Sequence, residues 1–140
     1  ITLVIAAVRR AETLGVTIVI ENIEDKDPSF RNEIVDQIGS AHFKVSIDTG
    51  HAFCAHKRTE APAVDTFVRA AGDRLFHMHL QDTDGTCDRH WGVGEGDIPW
   101  RGVFDAIAAL EVSPRLVFEL RNKEAILPSA EYLVSRGFAR

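Results

Sequence analysis

Four short stretches of this chain alternate apolar with polar side chains, and apolar residues at helical spacing fill the segments between them. The alternating runs cover residues 16–21, 43–48, 75–80 and 116–119; they are rich in β-branched and aromatic residues and bounded by loop signals. That combination predicts strands. A helix is predicted over about residues 3–14. Asp27 caps a second helix, with Pro28 at its first position, Phe30, Ile34, Val35 and Ile38 on one face, and Gly39 at its end. Pro62 opens a third, carrying Val64, Phe67, Val68 and Ala71, with Gly72 after it. A fourth runs from about Pro99 through Val103, Phe104, Ile107 and Leu110; a fifth covers about 128–136 and stops at Gly137. The predicted order is α-β-α-β-α-β-α-β-α.

Such alternation implies an α/β fold with parallel strands and right-handed crossovers. One parity of each strand is apolar: Ile18 and Ile20, Val45 and Ile47, Phe76 and Met78, Leu116 and Phe118. The other is mixed or polar: Thr17, Val19 and Glu21; Lys44, Ser46 and Asp48; His77 and His79; Val117 and Glu119. An open sheet covered on both faces is apolar on both parities. A (β/α) barrel of the TIM type, with a polar site at its mouth, fits better. A full barrel has eight units and about 250 residues. Four βα units over residues 1–140 are therefore expected to be one domain, the C-terminal half of a barrel.

Composition adds bounds. The chain has 140 residues, 45% apolar and 26% charged, enough for a sizeable core. No apolar run approaches the roughly 18 residues that cross a bilayer. The apolar start at residues 1–8 is followed by Arg9 and Arg10, with no basic region before it, unlike a signal peptide or an anchor. Cys54 and Cys87 make neither a disulfide framework nor a CxxC pair, so a reduced, cytoplasmic setting is expected. A formal net charge of −5 argues against a protein that mainly grips nucleic-acid phosphates.

The chemistry lies at the strand tips. Glu21, Asp48, His79 and Glu119 stand at the C-terminal ends of the four strands, the end where αβ barrels build their sites. Three carboxylates converging with an imidazole must be neutralised or protonated, and a divalent cation does the former. The oxygen-rich set suits Mn²⁺ or Mg²⁺, with Co²⁺ or Zn²⁺ as alternatives because of the imidazole. His51, in Asp-Thr-Gly-His, reads as a substrate-binding residue or ligand rather than an ordinary loop histidine. Asp88 and His90 form a D-x-H pair that either chelates a second metal or belongs to a polar surface loop. His77 reads as a hydrogen-bonded interior histidine. Arg121 either anchors an anionic or hydroxyl-rich substrate or pairs with a carboxylate. The run Gly92-Val93-Gly94-Glu95-Gly96 lacks the context of a dinucleotide fingerprint and reads as a flexible loop over the pocket.

These residues resemble a family. His79-Leu80-Gln81-Asp82-Thr83-Asp84-Gly85, Asp88-Arg89-His90 and Gly94-Glu95-Gly96-Asp97-Ile98-Pro99-Trp100 are similar to the HxxDxDG…DxH…GEGxIxW stretch of sugar phosphate isomerase/epimerase proteins. Ile20-Glu21-Asn22, Asp48-Thr49-Gly50-His51 and Phe118-Glu119-Leu120-Arg121 match the other strand ends of the same xylose isomerase-like TIM-barrel superfamily, in the same order. The resemblance implies one divalent metal held by Glu21, Asp48, His79 and Glu119. It implies that Glu21 and Glu119 act as acid and base, and that His51 contacts the substrate. The implied reaction on a sugar or sugar phosphate is isomerisation or epimerisation by proton transfer through a metal-stabilised enediolate.

The superfamily also includes endonuclease IV-like AP endonucleases with a multinuclear zinc site, in which positions matching His51, Asp88 and His90 are further ligands. That is the alternative function, along with a non-catalytic metal-binding half-barrel. Half a barrel exposes two strand edges. Self-association, or pairing with a missing N-terminal half, is expected.

Overall fold

The computed structural model describes residues 2–140; Ile1, the first residue of the apolar start, lies outside them. Four strands, β1 (Ile18–Glu21), β2 (Phe43–Asp48), β3 (Leu75–Leu80) and β4 (Arg115–Phe118), form one parallel sheet in the order β1-β2-β3-β4. Six α-helices accompany them: α1 (Thr2–Leu14), α2 (Ser29–Ile38), α3 (Thr49–Thr59), α4 (Val64–Ala71), α5 (Trp100–Ala108) and α6 (Ile126–Ser135). Consecutive parallel strands joined through helices make the expected α/β half-barrel.

The helix signals act where the sequence puts them. Asp27 Oδ1 accepts the N–H of Ser29 at 2.8 Å at the head of α2, and Gly39, at φ 65°, donates to Val35 O and ends it. The apolar face of α4 buries Val64, Phe67 and Val68 against α5 and the sheet, together with Met78 and Val103. Each side chain buried in this way stabilises the fold by about 1.5–3 kcal/mol. Among the described residues, no helix is long and apolar enough to cross a membrane. Cys54 is buried, Cys87 is exposed, and both are free thiols.

Two features differ from expectation. The segment after Asp48, for which no helix is predicted, is the helix α3. Asp48 has extended backbone and caps it, its Oδ1 accepting the N–H of His51 at 2.7 Å. His56, Lys57 and Arg58 in the last turn complement the negative end of the helix dipole. The second difference is a bulge in β3. Val45 pairs with Leu75, but the next residue of β2, Ser46, pairs with His77, so Phe76 is the extra residue. Leu75, not Phe76, therefore enters the helix-covered core at 3% exposure. Phe76 instead lies under the guanidinium of Arg115.

The bulge sets the rungs that position polar side chains on the other face. Glu21 pairs with Ser46 and Ser46 with His77 on one rung; Asp48 pairs with His79 and His79 with Val117 on the next.

Candidate metal centre

Strand register carries Asp48 and His79 to adjacent tips of β2 and β3. Glu119 follows directly on β4, where its N–H donates to Leu80 O at 3.2 Å. Ligand atoms of Asp48, His79 and Glu119 all lie within 4.8 Å of one another. Glu21, one rung lower, reaches up to the same place: its Oε2 is 2.7 Å from His79 Nδ1, and Glu119 Oε2 is 2.9 Å from that nitrogen. Ser46 Oγ donates to Glu21 Oε2 at 3.2 Å and lies 3.0 Å from His77 Nδ1, which makes His77 a hydrogen-bonded interior histidine.

Two polar atoms at the centre are buried without a hydrogen bond, Asp48 Oδ2 and His79 Nδ1. A ring nitrogen less than 3 Å from two carboxylate oxygens, yet hydrogen-bonded to neither, is costly in a folded chain. The same positions suit atoms that converge on a cation. Three carboxylates and one imidazole fit a divalent ion of the Mn²⁺ or Mg²⁺ kind, with Co²⁺ or Zn²⁺ also compatible. Electrostatics point the same way. Burial, with smaller contributions from Glu21 and Glu119, raises the pKa of Asp48 to about 6 despite the nearby His51.

The tips are stitched by groups that carry no charge. Asn22 reads both main-chain groups of Asp48, donating from Nδ2 to its O at 3.2 Å and accepting its N–H at Oδ1 at 2.8 Å. Thr49 Oγ1 donates to Gln81 O at 2.8 Å and accepts the N–H of Gln81 at 3.1 Å. Gln81 itself donates from Nε2 to Asp48 Oδ1 at 3.2 Å. Asn22, Thr49 and Gln81 are all buried. Sequence reasoning passed over Asn22 and Gln81; the available signal was a polar amide one or two residues beyond a candidate ligand at a buried strand tip.

Beside the centre is a second cluster. Asp88 Oδ2 lies 3.3 Å from His51 Nε2 and 2.9 Å from His90 Nε2. His51 Nδ1 lies 3.0 Å from Asn22 O, and His90 Nδ1 lies 2.9 Å from Glu119 O. Burial opposes charge on His51, but Asp48, the Asn22 carbonyl, Asp88 and Glu21 outweigh it and raise its pKa. His90 is raised in the same way, against burial, by the Glu119 carbonyl and Asp88. Burial works to raise Asp88, but the Gln81 amide and the two imidazoles hold it below the usual carboxylate range. Asp88 and His90 thus belong to a partly buried network rather than a free surface loop. Arg121 is exposed and forms no ion pair among the described residues, so of its two alternatives the carboxylate pairing is not made; its main-chain N–H donates to His90 O at 2.9 Å.

The glycine-rich segment is not the flexible loop expected over the pocket. Its Val93 is 3% exposed, and one internal bond and two anchors to the rest of the chain hold it. Gly92 N–H donates to Glu95 Oε2 at 2.7 Å, Val93 N–H to Ser129 Oγ at 2.9 Å, and Gly94 N–H to Asp82 Oδ2 at 2.8 Å. Gly94 has φ 95°, and a Cβ there would collide with the Tyr132 ring, so the tight packing requires glycine.

Comparison with known proteins agrees with this fold. A family described as "Xylose isomerase-like TIM barrel" matches residues 4–137. An uncharacterized protein of Methanocaldococcus jannaschii is 29% identical over 116 residues, covering 80% of this chain and 42% of that protein. D-psicose 3-epimerase of Enterocloster bolteae is 31% identical over 87 residues, covering 62% of this chain and 26% of the enzyme. The crystal structure of a D-tagatose 3-epimerase-like protein superposes with a TM-score of 0.79 at 26% identity, covering 91% of this chain and 49% of that one. The chain spans half or less of the length of these relatives.

Proposed function

We propose that this chain, which belongs to the xylose isomerase-like TIM-barrel family, carries the metal-binding half of a sugar or sugar-phosphate isomerase/epimerase. Relatives named as 3-epimerases of ketoses support the substrate class. The observation that carries the reading is the pair of buried atoms without hydrogen bonds, Asp48 Oδ2 and His79 Nδ1, at the point where Glu21 and Glu119 also converge. Glu21, Asp48, His79 and Glu119 hold one divalent ion, which when bound stabilises negative charge developing on the substrate oxygens.

The chain's own residues do the rest. Glu21, at the end of β1, and Glu119, just past β4, approach His79 Nδ1 from opposite sides of β3, so a ketose seated between them presents one carbon to two carboxylates. One removes the proton beside the carbonyl and the other returns it. Return to the same carbon from the opposite side inverts it; return to the adjacent carbon moves the carbonyl. Asp48, capping α3 through Oδ1, keeps Oδ2 facing the centre. His51 and Arg121 are assigned to the substrate.

The decisive experiment supplies Mn²⁺ and follows solvent deuterium at C3 of D-psicose and D-tagatose by NMR. Exchange that disappears in Glu21→Gln and Glu119→Gln supports the reading. Metal uptake without exchange in any ketose favours a non-catalytic half-barrel. The His51–Asp88–His90 cluster is the one feature that favours the multinuclear zinc reading; cleavage of abasic DNA by the zinc-loaded chain would establish it.

A further inference from the structure

One neutral side chain touches both clusters. Gln81 is fully buried; its Nε2 donates to Asp88 Oδ1 at 2.5 Å and to Asp48 Oδ1 at 3.2 Å, and its Oε1 accepts the N–H of His90 at 3.0 Å. The partners fix the orientation. Ionised carboxylates only accept and a main-chain N–H only donates, so a flipped amide would lose all three bonds. Room for the carboxamide exists because residue 50 is glycine: a Cβ there would collide with Cδ, Oε1 and Nε2 of Gln81.

Two carboxylates flanked by two imidazoles are a donor set that can take a second divalent ion. In this chain those donors are already committed. Asp88 gives Oδ1 to Gln81 and Oδ2 to His51 and His90. The other ring nitrogens of His51 and His90 face the carbonyls of Asn22 and Glu119. Asp48 differs, because Oδ1 is held by Gln81 and His51 N–H while Oδ2 stays free. The amide of Gln81 thus stands between the two carboxylates, where a bridging cation would otherwise sit, and supplies one N–H to each.

We propose that Gln81 is a positioning residue that limits the centre to a single divalent ion, by occupying the bridge between Asp48 and Asp88 so that, of these two carboxylates, only Asp48 Oδ2 joins the metal ligands. This inference rests on the metal-centre reading. It separates two kinds of centre that share most of their ligands, and it places the difference in one uncharged side chain.

The test counts ions per chain by mass spectrometry after Co²⁺ or Zn²⁺ titration of the wild type, Gln81→Glu and Asp88→Asn, with circular dichroism to verify folding. The expected result is one ion in the wild type, two in Gln81→Glu, and one in Asp88→Asn with unchanged affinity. Gln81→Glu removes both donors and adds a ligand, so the second ion should appear there. One ion in both the wild type and a folded Gln81→Glu overturns the inference while leaving the metal centre standing. Two ions in the wild type, or loss of the ion in Asp88→Asn, overturn it even where Gln81→Glu does not fold. No ion in any form overturns the metal centre itself, and this inference with it.

Discussion

The indole N–H of Trp100 donates to Asp82 Oδ2 at 2.7 Å, in a buried bond that ties the start of α5 to the residue just beyond the tip of β3. Asp82 also accepts the N–H groups of Thr83 at 2.9 Å, Gly94 at 2.8 Å and Ile98 at 3.2 Å. One fully buried carboxylate thus holds the whole loop that leads past Asp88 and His90. Replacing it by alanine leaves several buried donors without an acceptor, each costing about 1–3 kcal/mol. Asp82→Ala is expected to lose at least about 3 kcal/mol in urea denaturation. A loss below about 1 kcal/mol would mean that the loop is held by its apolar contacts instead.

Gly50→Ala tests a conflict of signs. Within a helix this change ordinarily stabilises by about 1 kcal/mol. At the second position of α3, however, the new Cβ meets the Gln81 carboxamide. Crowding of this kind costs about 1–3 kcal/mol, so net destabilisation and weaker metal binding are expected. A more stable variant with unchanged metal affinity would show that Gln81 moves freely.

Asp48 sets a pH dependence in the chelator-treated protein. Its pKa rises from 3.8 to about 6 on folding, so the folded chain binds this proton more tightly than the unfolded chain does. Its contribution is neutral below the unfolded pKa, becomes destabilising as pH rises through that window, and is fully unfavourable above about 6. Two pKa units correspond to about 3 kcal/mol. Relative to the wild type, Asp48→Asn is expected to gain stability between pH 4 and 7 when both are free of metal. Parallel stability curves for the two proteins would contradict a buried carboxylate with one unpartnered oxygen.

Both flanks of the half-barrel are apolar. Val4, Ile5, Ile20, Ile34 and Ile38 line a groove beside β1, and Leu116, Phe118, Leu133, Val134 and Phe138 line another beside β4. Among the described residues, the outer edges of β1 and β4 have no strand partner. Such edges and patches recruit further chains. Sedimentation velocity is expected to show concentration-dependent association, and a monomer at every concentration would contradict it.

Much of this was readable in the sequence because a half-barrel writes its two faces as alternating parities. Ile20, Val45, Ile47 and Met78 marked the helix side, while Ser46, Asp48, His77 and His79 marked the other. The bulge at Phe76 was hidden, because a single inserted aromatic looks like one more apolar strand residue. Helix α3 was hidden because Asp48 serves two purposes, as a strand tip and as a helix cap. Gln81 and Asn22 escaped notice for a third reason: their role consists of hydrogen bonds to groups distant in sequence, and an amide beside a candidate ligand does not show which groups it meets until the chain is folded.

The most direct measurement is calorimetric titration of Mn²⁺ into the wild type, His79→Ala and Glu119→Gln. One ion per wild-type chain is expected, with affinity lost in His79→Ala and sharply weakened in Glu119→Gln. No binding to the wild type, or equal binding to all three, would contradict a metal centre at the strand tips.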